Sequence, residues 1–355
     1  MIERVIKIIE PKFSEEEKLT VLSILESNQI TRGEWTKRFE EEFARYLGVR
    51  YAFTVCSGTV ALFIALKSVG VEGKRVVVPA MSFMATIDAV LLAGGIPVVV
   101  DVDEHYTMDP SQLEDAVKRY HPLVVIPVHL YGQTANMEDI MYLSEKYGFL
   151  VLEDAAQAHG ASFKGKKAGA LGHLSAFSFY ASKNVPMGEG GVIATDDDTL
   201  AKSIKKWIDF GDHPAFNVRI TEFQAAIGYI QLKRLDERNK RRRDIAQKYN
   251  EHFNGSLTAP TERPNAYHVY HLYTLRHQER DRIIKHLRDM GIDARVYYSY
   301  LLNEIRKVDH LPLDRAESFR KEVFSIPVHP YLTEDEINYV IEGVLSAINT
   351  IMEKT

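Results

Sequence analysis

Three observations predict an α/β fold built on a largely parallel sheet. Between Tyr51 and about Ile208, short β-branched runs alternate with stretches of helical periodicity. The strand candidates are almost continuously apolar, as strands covered on both faces are. The chain is 355 residues long and 45% hydrophobic, ample for a core, and at ~150 residues per domain it suggests about two domains.

Strands are predicted at 51–55, 75–78, 97–100, 123–128, 149–153, 176–179 and 191–194. Helices fall between them at 60–69, 85–93, 111–119, 137–147 and 197–208. The interval between the last two strands is too short for a helical crossover, so one antiparallel strand is expected. In such a sheet, ligand chemistry gathers at the carboxyl ends of the strands. A long helical stretch follows from Thr221 to about Phe253 and carries the basic run KRLDERNKRRR at 233–243. That run contains acids and lacks interleaved aromatics, so it reads as a solvated helix face joining two domains rather than a nucleic-acid surface. A break at 254–265, with three glycine or proline positions, precedes a strand at 268–276 and helices at 281–290 and 333–351. The division expected is a large α/β domain at 13–235 and a small α+β domain at 236–355, joined by residues 1–12.

A formal charge of −5 argues against a protein made to coat nucleic acid or an anionic membrane. The 26% charged content beside a large apolar share excludes disordered and collagenous classes. Cys56 is the single cysteine and cannot form an intrachain disulfide, which suits a reducing cytoplasm. The first residues lack the basic start and apolar stretch of a secretory signal, and no apolar run approaches the ~20 residues that cross a bilayer. A cytoplasmic protein without membrane, nucleic-acid or metal partners is expected.

Four segments carry chemistry. Ser57-Gly58-Thr59 lies between a strand and a helix, where free amides and a positive dipole end suit a phosphate, although Ser and Thr there also serve as plain N-caps. Glu153-Asp154-Ala155-Ala156-Gln157 puts acids at a strand end, either as a helix cap or as a partner for a buried cationic ring nitrogen. Phe177 to Asn184 leads an apolar strand into Lys183, held by a loop before Gly188-Glu189-Gly190-Gly191. A lysine with an accessible neutral amine can condense with an aldehyde, whereas an ordinary loop lysine is a solvated charge. Ser82-Phe83-Met84-Ala85-Thr86 offers the Phe83 ring either to the core or to a flat heterocycle. No GxGxxG or GxxxxGK[ST] pattern marks a strand–helix junction, which argues against a dinucleotide-binding dehydrogenase.

In this order CSGTVAL (56–62), SFMATIDAV (82–90), EDAAQAHGA (153–161) and FSFYASKNVPMGEGGVI (177–193) resemble the DegT/DnrJ/EryC1/StrS family of PLP-dependent sugar aminotransferases. The resemblance extends to 28–48, 127–137 and 216–243, and more loosely to 268–276 and 326–337. It implies the fold type I architecture of PLP-dependent transferases, aspartate aminotransferase-like, with a mixed but mostly parallel sheet. Position by position it implies Lys183 as the residue that carries pyridoxal 5′-phosphate and moves the proton, and Asp154 as the acid on its ring nitrogen. Gln157 then lies near the phenolic oxygen, Phe83 stacks on the ring, and Gly58, Thr59 and Ser178 contact the phosphate. Asn217 reaches the phosphate of the neighbouring subunit, which implies a homodimer with composite active sites. Thr31, Arg32, Trp35 and His271 are the candidate acceptor contacts.

The activity implied is transfer of an amino group from L-glutamate, or glutamine, to a keto-sugar carried on a nucleoside diphosphate. Family members that remove a sugar hydroxyl have histidine where Lys183 stands, so amination is expected. Two departures bear on the acceptor. Ala215 stands where relatives commonly have glycine, and Tyr297-Tyr298-Ser299-Tyr300-Leu301 replaces a histidine–tyrosine segment followed by proline and a second histidine. A non-nucleotide cyclic ketone such as a keto-inositol is therefore the alternative acceptor, and a non-catalytic PLP-binding regulator the alternative class.

Overall fold

The computed structural model describes residues 5–210, 214–253, 255 and 257–352. Residues 1–4 of the predicted N-terminal segment, and 254 and 256 of the predicted break, lie outside the described residues.

Two helices that the sequence reading did not foresee open the chain, α1 (Glu15–Ser27) and α2 (Glu34–Leu47). The alternating part runs β1 (Tyr51–Val55), α3 (Gly58–Ser68), β2 (Arg75–Pro79), α4 (Ala85–Leu92), β3 (Ile96–Val100) and α5 (Pro110–Tyr120). It continues through β4 (Val124–Val125), α6 (Met137–Tyr147), β5 (Leu150–Asp154) and the short β6 (Ser162–Phe163) and β7 (Lys166–Lys167). β8 (Leu174–Ser178), β9 (Gly191–Thr195), α7 (Asp198–Ile208), α8 (Glu222–Lys233) and α9 (Leu235–His252) follow. The remainder holds β10 (Ala266–Tyr267), β11 (Tyr273–Arg276), α10 (Arg280–Asp289), α11 (Leu302–Ile305) and β12 (Asp309–His310). The chain closes with α12 (Asp314–Glu322), β13 (Val323–Ile326) and α13 (Glu334–Met352).

The main sheet has eight strands in the order β1-β9-β8-β5-β4-β2-β3-β12. β9 runs antiparallel to both β1 and β8, and the other neighbours are parallel. Val76, Val77, Val78 and Val98, Val99, Val100 are wholly buried, as residues of two-faced strands must be. Helix starts follow side-chain chemistry. Ser57 accepts the Val60 amide, Asp109 precedes Pro110, and Asp197 accepts the amides of Thr199 and Leu200.

Three expected elements come out shorter. Of the strand expected at 123–128 only Val124–Val125 pair on both sides, because Pro127 has no N–H to give. The carbonyl of Pro127 is used all the same, accepting the Asp154 amide at 2.9 Å. The strand expected at 268–276 begins at Tyr273. Upstream, the amides of Val269 and Leu272 go to the carbonyls of Gly132 and Tyr131, and Tyr270 has φ 45°. The single helix expected from Thr221 breaks at Arg234 (φ −104°, ψ 3°), whose guanidinium holds Glu16 of α1 at 2.6 Å.

A second apolar core forms apart from the main sheet, from Ile6, Tyr249, Tyr273, Phe324, Ile337 and their neighbours up to Ile351. Ile6 is tied there by its main chain, giving its N–H to the Gly291 carbonyl and accepting the Asp293 amide. Leu301, Leu313 and Phe319 instead pack on the main core, and β12 extends its sheet. No helix among the described residues is long and apolar enough to cross a membrane.

At Gly191 the antiparallel strand passes the turn before α3 so closely that a Cβ would lie 2.2 Å from the Ser57 carbonyl oxygen. Gly191→Ala is expected to cost about 1–3 kcal/mol through overpacking, read as a lower denaturant midpoint with unchanged slope.

Candidate active site

One cavity of about 550 Å³ opens at the carboxyl ends of β5 and β8, walled by the β1–α3 turn, the start of α4 and the segment after β8. It brings together Gly58, Thr59, Phe83, Asp154, Gln157, Ser178, Lys183 and His271.

Strand alternation decides the roles of the two acids that end β5. Glu153 turns away from the cavity and is wholly buried. Its carboxylate accepts the amides of Gly169, Leu171 and Gly172 at 2.6–2.7 Å, and lies 2.8 Å from His129 Nε2. His129 Nδ1 accepts the Ala135 amide, so the ring proton sits on Nε2 and donates to Glu153. Asp154 turns into the cavity, 5% exposed. Its Oδ2 accepts the Thr86 hydroxyl at 2.8 Å, Ser82 Oγ lies 2.7 Å from that same hydroxyl, and its Oδ1 accepts the Ala156 amide. Burial pushes the Asp154 pKa up. The Thr86 bond, the Ala156 amide and the charge of Lys183 work against that rise.

Lys183 rides on a loop fixed by main-chain bonds. Phe179 N–H donates to Gly190, Ala181 N–H to Gly188, Lys183 N–H to Tyr180 and Met187 N–H back to Phe179, all at 2.8–2.9 Å. The residue is half-buried where it meets the cavity, yet enough protein surrounds the amine to push its pKa down to about 8, against the pull of Asp154. A substantial neutral fraction at pH 7–8 is what a nucleophilic amine needs. His159 and His271 stand near it. Burial first, and the charge of Lys183 second, push His159 down to about 3 and His271 well below the usual range. Both rings are neutral, and His271 Nδ1 lies 3.2 Å from Asn184 Oδ1.

The opposite end is an anion seat. Ser57 caps α3, and Gly58 presses against Ser178 so tightly that a Cβ there would lie 2.7 Å from the serine Cβ. Only glycine lets these free amides approach a phosphate together with the Ser178 hydroxyl. Between the two ends, Phe83 leaves 48% of its surface exposed, with Tyr298 5.9 Å from its ring. Gln157 is oriented by the Tyr131 amide on its Oε1, at 2.8 Å, and donates from Nε2 to the Tyr298 hydroxyl at 3.1 Å.

The sequence profile of the DegT/DnrJ/EryC1/StrS aminotransferase family matches residues 11–345. The chain belongs to this aminotransferase family. It is 34% identical over 362 residues to a GDP-perosamine synthase of Caulobacter vibrioides, covering 96% of this chain and 97% of that one. It is 35% identical over 343 residues to the dTDP-3-amino-3,4,6-trideoxy-alpha-D-glucose transaminase of Streptomyces venezuelae, covering 91% and 90%. The crystal structure of S. venezuelae DesV superposes with a TM-score of 0.89 at 34% identity, over 94% of both chains. The fold is therefore the aspartate aminotransferase-like fold type I, and the chain is an enzyme, an aminotransferase.

The residues of this family member fit pyridoxal phosphate. A neutralisable amine, a buried carboxylate, an exposed ring face and a helix-start anion seat surround one cavity of suitable size. Four expected contacts do not reach that cavity within one chain. Asn217 is exposed. Thr31 bridges to Thr221, and the Trp35 N–H donates to Glu222. Arg32 borders a separate hollow of about 430 Å³ beside Glu40 and Arg219. Three contributors were given no role of their own by the sequence reading, namely Thr86, Tyr298 and the His129–Glu153 pair, although Thr86, Glu153 and Tyr298 lie in segments it singled out.

Protonated Lys183 is not nucleophilic, so cofactor uptake by the apo chain should rise about tenfold per pH unit below 8 and level off above it. Stopped-flow absorbance across pH 6–9 measures this.

Proposed function

We propose that this cavity carries pyridoxal 5′-phosphate on Lys183, and that the enzyme moves an amino group from L-glutamate, or glutamine, to a keto-sugar. The observation that carries the reading is the Lys183 amine, its pKa down to about 8, sharing one cavity with buried Asp154. The cofactor would supply an aldehyde to take up and return the amino group, and a ring that draws electrons from the bond being broken. Lys183 Nζ, poised near neutrality, takes a proton from the carbon bearing the amine and returns it on the other side of the nitrogen. Asp154 holds the ring nitrogen protonated, Gln157 meets the phenolic oxygen, and Phe83 covers one ring face. Gly58, Thr59 and Ser178 hold the phosphate.

We assign Asn217 to the active site of a second copy in a homodimer, and Thr31, Arg32 and Trp35 to its acceptor side. Exposed Phe210 in the lining of that hollow is apolar surface that a second copy would cover. His271 stands in the cavity of its own chain. The acceptor favoured is a nucleoside-diphosphate-linked keto-deoxysugar, on the strength of relatives named for GDP- and dTDP-linked sugars. A non-nucleotide cyclic ketone is the second reading, since Tyr297 and Tyr298 line the wall where the family segment is altered. A cytoplasmic location follows the same reading. The separate core around Tyr249 and Ile337 supports a domain boundary near residue 235.

Purified enzyme should be yellow, lose that colour on L-glutamate with release of 2-oxoglutarate, and regain it on the right ketone. If glutamate and glutamine both leave the colour unchanged, the reading fails. If sugar nucleotides alone restore it, the cyclic-ketone reading is excluded. Lys183→Ala should keep cofactor without borohydride-stable attachment and slow the glutamate half-reaction by at least ~10³-fold. Asp154→Ala should weaken cofactor retention and slow the same step by about 10²-fold or more. Peptide mapping and single-turnover absorbance check both.

A further inference from the structure

Behind the lysine loop, four buried residues form one line of hydrogen bonds. Asn239 of α9 donates from Nδ2 to the His159 carbonyl at 2.8 Å, and Asn184 donates from Nδ2 to Asn239 Oδ1 at 2.9 Å. Asn184 Oδ1 then lies 3.2 Å from His271 Nδ1. The line has a direction, because a main-chain carbonyl can only accept. It obliges Asn239 to turn its amide nitrogen toward His159, which leaves its oxygen for the amide nitrogen of Asn184. The Asn184 oxygen therefore faces His271, and an amide oxygen also only accepts. His271 must carry its ring proton on Nδ1. Its other ring nitrogen, Nε2, keeps a free lone pair and has no hydrogen-bond partner among the described residues.

His271 and Lys183 line the same cavity, and Asn184 follows Lys183 directly in the loop. The lysine amine has donors to spare, with no hydrogen bond or ion pair among the described residues. The titratable groups that bear on this corner from neighbouring elements are Asp154 ending β5, His159 beyond it and Arg242 on α9. Asp154 favours the ammonium of Lys183, whereas burial and the charges of Lys183, Arg242 and His159 oppose protonation of His271. A donor without an acceptor and an acceptor without a donor thus border one poorly solvated space, where leaving both unpaired is costly. An imidazole that titrated beside the lysine could take its proton. One held neutral cannot, so the proton stays on Nζ.

We propose that the Asn239–Asn184 relay fixes His271 as a neutral acceptor, which receives an N–H of Lys183 whenever that amine is free of the cofactor. His271, Asn184 and Asn239 are then positioning residues, which aim Lys183 Nζ and take no proton themselves. This rests on the function proposed above only in that Lys183 is the residue that takes up the cofactor. The sequence reading placed His271 among the acceptor contacts, and the relay gives its ring a partner within its own chain instead.

Nitrogen NMR of holoenzyme labelled in histidine reads the tautomer directly. His271 should show a protonated Nδ1 and a free Nε2, with no titration between pH 6 and 9. In Asn184→Ala the two tautomers should mix. The second readout is the pH midpoint of cofactor uptake by the full-length apo chain. Losing the acceptor removes a bond that favours the ammonium, so His271→Phe should lower that midpoint by about one pH unit. Asn184→Ala and Asn239→Ala should move it the same way by less. A purely structural role for the relay would lower the melting temperature and leave the midpoint in place. A proton on His271 Nε2 in the wild type, or a midpoint unmoved in both His271→Phe and Asn184→Ala, overturns the proposal. Neither readout needs turnover, so an enzyme inert to glutamate would sink the proposed function while these two measurements still decide the relay.

Discussion

The site depends on two opposite charges that share one poorly solvated cavity. Asp154 is pushed toward its neutral acid by burial and Lys183 toward its neutral amine, and each charge steadies the other. The amine would be of little use in water, where it is almost always protonated. The parallel pairing of β5 with β8 sets them at this separation. Asp154 stands opposite Ala176, the Ala155 amide bonds the Ala176 carbonyl at 2.9 Å, and β8 then runs on toward the lysine loop.

Much of the surrounding architecture serves to keep that pair from moving. Glu153, the neighbour of Asp154 on β5, is anchored by three amides and one imidazole and pins the strand end from behind. A buried carboxylate with all its acceptor capacity used is tolerated, whereas a half-satisfied one would not be. From the front, Ser82 and Thr86 pass a hydroxyl to Asp154. Gly58 and Gly191 allow three backbone segments to converge at the phosphate end, where any side chain would force them apart.

The sheet was legible in the sequence because two-faced burial leaves continuous apolar runs, and β1, β2, β3, β5 and β9 lie within one residue or so of expectation. β4 was not, since a proline effect on pairing shows only when the partner strands are known. Helices α1 and α2 were missed, and their anchors are distant in sequence: Gln231 for buried Glu17, Glu222 for the amides that start α2. The candidate site was half legible. Lysine, acid and phosphate seat sit on local motifs, whereas Thr86 on Asp154 and Tyr131 on Gln157 are relations between distant segments. Thr31, Arg32, Trp35 and Asn217 show the same limit from the other direction, for their neighbours within one chain leave them outside the cavity.

The loop that carries Lys183 takes its shape from main-chain bonds between Phe179 and Gly190, with no bond from the lysine side chain needed to close it. Scaffold and reactive group are thus separable. Exchanging that one side chain would leave the platform standing while removing its nucleophile, so this architecture can change chemistry in a single evolutionary step without first having to refold.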